Sequence, residues 1–173
     1  TRSWGGGIPL GSLTLIEGES DSGKSVLAQQ MIWGSLYDGI DAVLYTTGNT
    51  VKSFTRQMSS LSLDITDFIL MRKLRIYPIM ASKSNLSADQ VFSIVLENMD
   101  QFVKPKLAII DSLTTFITHT SIEETMTFFE SSKSLCDRGT SIIAVVNSYA
   151  FSEADLGRVR SMCDAHLRLR TEQ

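Results

Sequence analysis

The segment Gly18-Glu19-Ser20-Asp21-Ser22-Gly23-Lys24-Ser25 has the spacing G-x-x-x-x-G-K-[ST], and residues in that pattern hold phosphate groups. Glycine is needed because backbone N–H groups must turn inward around phosphate oxygens, and a helix that starts at the loop adds its positive end. Ser20 and Asp21 span the loop, and the amides from Ser22 through Gly23 to Val26 are the expected donors. Lys24 would set its ammonium against the terminal phosphates, and the Ser25 hydroxyl would be a ligand to Mg2+. Asp21 is an unusual neighbour for phosphates, so its side chain is expected to face solvent or an adjoining subunit. The pattern predicts binding of ATP with Mg2+. No guanine-reading Asn-Lys-x-Asp segment occurs, and adenine pockets have no equally sharp signature, so the choice between ATP and GTP stays open in the sequence.

Such a site also needs a carboxylate on a neighbouring strand. Asp111 closes the apolar run Leu107-Ala108-Ile109-Ile110 and fits that role, with Ser112 and Thr114 following as groups that would orient it. An apolar run ending in Asp is common, and its pairing with the upstream loop is what gives this one weight. Asn147 ends the strand Ser141 to Val146, where it reads either as a sensor of the γ-phosphate or attacking water, or as a strand-end turn former. Hydrolysis needs one further group, a base near the γ-phosphate. The place to look is Tyr45-Thr46-Thr47-Gly48-Asn49-Thr50, which holds no carboxylate. Asn49 orients a water but takes no proton at neutral pH, so hydrolysis by this route is expected to be slow. Arg158, Arg160, Arg168 and Arg170 would serve either as charges reaching a neighbour's γ-phosphate or as one side of a half-exposed strand, and the alternation of Arg168 and Arg170 with Leu167 and Leu169 favours the latter. His119 and His166 read as loop and surface residues, Cys136 and Cys163 as packing residues.

The elements that must position these groups alternate between short apolar runs and segments of helical period, which predicts an α/β fold with a mostly parallel sheet. Strands are expected at 12–17, 42–46, 74–77, 107–111, 141–146 and 165–170. Helices are expected from Ser25 to Tyr37, after a cap at Thr50, after the Ser87/Gln90 pair, from the Ser121/Glu124 pair to Gly139, and from a cap at Ser152 through Met162. The helix after Ser87 would pack Val91, Ile94, Val95, Met99 and Phe102 on one face.

The chain of 173 residues fits one domain, and its 43% hydrophobic and 20% charged residues describe a globular protein. No apolar run reaches the roughly 18 residues of a membrane span, which points to a cytoplasmic setting. A net charge of −3 argues against a duplex-binding surface.

With the loop, Asp111 and the alternating elements in hand, the chain resembles the RecA/KaiC group of P-loop ATPases along nearly all of residues 1–173. Gly5-Gly6-Gly7-Ile8-Pro9-Leu10-Gly11-Ser12 is similar to that group's approach to the loop, and Ile109-Ile110-Asp111-Ser112-Leu113-Thr114 to its Walker B strand. Ile16-Glu17-Gly18, Ser22-Gly23-Lys24-Ser25-Val26-Leu27, Thr46 to Thr50 and Leu74 to Pro78 look most like the accessory ATP-binding branch of the archaellum, the archaeal motility machine. The resemblance implies a single RecA-like three-layer α/β/α domain, truncated at both ends relative to the family. It further implies assembly at the inner face of the membrane with the motor ATPase and its scaffold ring protein, and a homo-oligomer such as a hexamer. KaiC-like proteins usually carry glutamate where Gly48-Asn49 stand, so weak or absent turnover is expected. The alternatives are an active KaiC-like ATPase or autokinase and, further off, a recombinase-like DNA-binding ATPase.

Overall fold

Four runs of small and branched apolar residues, β1 (Leu13–Gly18), β2 (Ala42–Thr46), β4 (Leu107–Asp111) and β5 (Ser141–Asn147), are buried on both faces almost from end to end. Such strands suit a parallel sheet covered by helices on each side. Together with β3 (Leu74–Pro78) and β6 (Ala165–Leu169) they form a six-stranded sheet in the order β3-β2-β4-β5-β1-β6, and every pairing is parallel. The computed structural model describes residues 7–79 and 86–170, so Gly5 and Gly6 of the approach to the loop lie outside the described residues.

Strand alternation divides the core in two. Ile16, Leu44, Ile109 and Val145 pack with Ala28, Ile32 and Leu36 of α1 (Lys24–Tyr37), Phe54 and Met58 of α2 (Val51–Ser60), and Phe68 and Ile69 of α3 (Thr66–Leu70). Leu15, Tyr45, Ile110 and Ala144 face the other way. They meet α4 (Ala88–Glu97), α5 (Thr114–Ile117), α6 (Ile122–Asp137) and α7 (Glu153–Met162). The result is the expected α/β/α layering.

The helix starts are chemically explicit. Ser53 N–H donates to Thr50 Oγ1 at 3.1 Å, Ser87 N–H to Gln90 Oε1 at 3.0 Å, Glu124 N–H to Ser121 Oγ at 3.1 Å and Asp155 N–H to Ser152 Oγ at 3.1 Å, satisfying donors that a helix leaves free. One expectation fails in part. After Glu97 the chain winds as a π-helix over Asn98–Val103, and the extra residue in that turn rotates the face. Met99 stays buried, whereas Phe102 is 73% exposed; Ile94, in the regular helix before that turn, is 49% exposed on its own account, so neither belongs to the core. α3 and α5 were not expected, because four or five residues are too few to show a period. Among the described residues, no helix is long and apolar enough to cross a membrane.

Candidate functional site

Strand register brings the chemistry to one edge of the sheet. Gly18 pairs with Asn147, Val145 with Asp111, and Asp111 with Thr46, so the carboxyl ends of β1, β5, β4 and β2 lie in a row. The crevice beyond such ends, where the chain leaves for strands on either side, is where open parallel sheets bind ligands.

The loop leaves β1 at Gly18, and no other residue fits there. A Cβ at this position would lie 2.5 Å from Ser22 Oγ and 2.6 Å from the Leu169 carbonyl oxygen, so the loop and the end of β6 close on the bare backbone. Gly23, at φ 85°, takes the left-handed conformation that turns the chain into α1. The helix then begins at Lys24 with Leu27 N–H bonded to Gly23 O at 2.9 Å, which leaves the amides of Lys24, Ser25 and Val26 in the unpaired first turn. Asp21 adopts φ 60° and is exposed, as its sequence context suggests.

A cavity of about 450 Å³ opens at this point. The loop and first turn of α1 form one wall through Ser20, Asp21, Gly23, Lys24, Ser25 and Val26. Gln57 of α2, Asp111, Ser112 and Asn147 line it as well. Ser25 Oγ donates to Asp111 Oδ1 at 3.2 Å, bringing together the two residues read as metal ligands. Lys24 is buried and donates from Nζ to the Glu19 carbonyl and, at 3.3 Å, to Ser22 Oγ. Burial lowers the Lys24 pKa against the opposing pull of Asp111 and Asp21. Burial likewise raises that of Asp111, opposed by the Ser25 hydrogen bond and the Lys24 charge. Each group is therefore short of solvation and would gain from an ionic partner. The hydroxyl and carboxylate oxygens are hard donors of the kind Mg2+ takes, few enough to leave its other positions to water and phosphate, so the residues fit that ion. Thr114, on the far side of the strand end, accepts from Asn147 N–H at 2.9 Å and fixes the turn after β5.

Gly48 and Asn49 do not line the cavity. Asn49 Oδ1 accepts from Ser53 Oγ at 3.1 Å, which ties it to the first turn of α2. Asn147 does line it, with Nδ2 donating to Tyr149 Oη at 3.2 Å. Gln57 was missed in the sequence; its signal was the helical face, since it precedes the buried Met58 and follows Phe54 by three.

His166 is exposed, as expected, and has a partner that the sequence did not show, its Nε2 lying 2.9 Å from Oε1 of the fully buried Glu17. Arg160 reaches the same oxygen at 2.5 Å and Arg168 at 3.7 Å, so two of the four C-terminal arginines share this carboxylate. His119 is exposed, as expected. Cys136 is buried and Cys163 half-buried, and burial pushes the Cys136 thiol up to about 11 and the Cys163 thiol up to about 12, which leaves both as inert packing groups.

An all-parallel six-stranded sheet, a glycine loop between β1 and α1, and a carboxylate at the end of β4 define a P-loop nucleotide-binding domain of RecA-like architecture. The chain belongs to the KaiC family of ATPases, whose family model, described as "ATPase: KaiC", matches residues 2–172. Among its relatives are archaeal flagellar ATP-binding proteins named FlaH. That of Methanocaldococcus jannaschii is 33% identical over 97% of this chain and 72% of its own length. That of Sulfolobus acidocaldarius is 28% identical over 95% of this chain and 73% of its own. The crystal structure of the flagellar accessory protein FlaH from M. jannaschii superposes with a TM-score of 0.86, covering 99% of this chain and 77% of the other at 28% identity. A KaiC-like protein of Pyrococcus horikoshii shares the fold at a TM-score of 0.73 and 19% identity, covering 98% of this chain and 77% of that one.

Proposed function

We propose that this chain is an ATP-binding regulatory subunit of the archaeal motility motor, holding Mg-ATP between residues 18–25 and Asp111 with weak hydrolysis or none. The observation that carries this reading is the Lys24, Ser25 and Asp111 cluster in a cavity whose α2 side offers an amide, Gln57, and no carboxylate. The names of the FlaH relatives support the archaellum setting. The unpaired amides of Lys24 to Val26 bind phosphate oxygens, and the Lys24 ammonium exchanges the Glu19 carbonyl and Ser22 hydroxyl for phosphate. Ser25 and Asp111 would hold Mg2+, which would supply positive charge to the bound phosphates. No residue on the α2 side takes a proton from water, so bound ATP persists as a signal. In this role the chain docks on the motor ATPase and its scaffold ring at the cytoplasmic face of the membrane, alone or as a hexamer.

Calorimetric titration with Mg-ATP, alongside steady-state phosphate release, tests the reading. The protein is expected to bind ATP, and Lys24→Ala to lose at least about tenfold in affinity, the value of a charge-assisted contact. Turnover is expected well below roughly 1 s⁻¹, the lower end for ordinary enzymes. Faster release would make the chain an active KaiC-like ATPase instead, and unchanged binding by Lys24→Ala would defeat the loop assignment.

A further inference from the structure

We infer that Gln57 contacts the terminal phosphate of a bound nucleoside triphosphate, and that helix α2 thereby distinguishes triphosphate from diphosphate. This rests on the reading of the cavity as the nucleotide site. Three observations carry it beyond that reading.

Gln57 is half-buried and lines the same cavity as Lys24, Ser25, Asp111 and Asn147. It therefore shares a cavity with Lys24 and Ser25, the residues whose chemistry belongs to the β- and γ-phosphates. α2 is also a firm support, since the Thr50/Ser53 capping box fixes its start and Phe54 and Met58 anchor it in the core, at 2% and 0% exposure. Lastly, the competing amides are less well placed: Asn49 does not line the cavity, and Asn147 spends its Nδ2 donor on Tyr149, whereas the Gln57 amide makes no hydrogen bond to another described residue. A carboxamide offers two N–H donors and a carbonyl acceptor, so it binds a phosphate oxygen or orders a water beside one. It does not remove that water's proton. Gln57 therefore supplies discrimination between ligands without supplying turnover, and does so from an element that carries the difference away from the loop.

The test is calorimetry of the whole chain with Mg-ATP and Mg-ADP, comparing wild type with Gln57→Ala and the near-isosteric Gln57→Glu. Gln57→Ala is expected to weaken ATP about tenfold, the value of a hydrogen bond to a charged group, with ADP changed less than about twofold. Gln57→Glu is expected to weaken ATP further, because a carboxylate then faces the added phosphate charge, and again to spare ADP. Amide hydrogen exchange over 51–60 is expected to slow more with ATP than with ADP in wild type, and equally with both in Gln57→Ala. Equal losses for the two nucleotides, or no loss for either, would overturn the assignment while leaving the loop's role intact. Wild-type protein that binds neither nucleotide would overturn the loop's role and this inference together.

Discussion

Asp111 carries a conflict between burial and charge. Its carboxyl is pushed above the ordinary carboxylate range chiefly by burial, despite the Ser25 hydrogen bond and the Lys24 ammonium. The folded protein therefore holds that proton more tightly than the unfolded chain. Its contribution to stability is largest at low pH and declines as pH rises through the interval from the ordinary value to the raised one. Without a cation beside it, the ionised form is the costly one. Asp111→Asn is expected to raise the melting temperature of the nucleotide-free protein by about 2–4 °C, the shift that roughly 1 kcal/mol makes in a chain of this size, while removing the magnesium dependence of ATP binding. Calorimetric melting with and without Mg-ATP checks both halves, and a lowered melting point would show that Asp111 is structural. At this scale the loop and Asp111 were legible in the sequence because their spacing and strand-end position are covalent facts. Gln57 was not, because its place in the cavity depends on how α2 rotates as it packs.

Elements meet the loop from behind as well as from the front. Glu17, the residue before Gly18, is fully buried, and Arg160 of α7 with His166 and Arg168 of β6 surround its Oε1. The same β6 presents the Leu169 carbonyl to Gly18. α7 and β6 thus clasp the end of β1 from which the loop departs. Removing one partner from a buried ion pair leaves an uncompensated charge, which costs about 3–5 kcal/mol when nothing replaces it; His166 and Arg168 reduce that here. Arg160→Ala is expected to cost about 2 kcal/mol and to lower the melting temperature by about 4–8 °C. An unchanged melting point would mean the other two cations suffice. The strands, their order of appearance and the capped helices were legible from apolar runs and Ser/Thr caps, since those signals are local. The clasp was hidden because Arg168 pairs with Glu17 across a sheet register that joins residues about 150 apart in sequence. The π-turn after Glu97 was hidden for the opposite reason, as it alters the period on which the reading of Phe102 depended.

Across the whole molecule, the site draws on β1, β4 and β5, on α1 and on α2, which reach both cores on opposite faces of the sheet. A ligand held by all of them stabilises the chain as a unit, by an amount set by its concentration relative to Kd. At about 100 times Kd, Mg-ATP is expected to add about 2.7 kcal/mol and to raise the melting temperature by about 5–10 °C in one cooperative transition. Chelating Mg2+ with EDTA is expected to remove most of that gain, because the Ser25 hydroxyl and the Asp111 carboxylate reach the nucleotide only through the ion. Differential scanning calorimetry with ATP, with and without EDTA, makes the comparison. A gain indifferent to EDTA would confine nucleotide binding to the loop and leave Asp111 outside it, while no gain at all would separate this fold from the ligand its loop is built to hold.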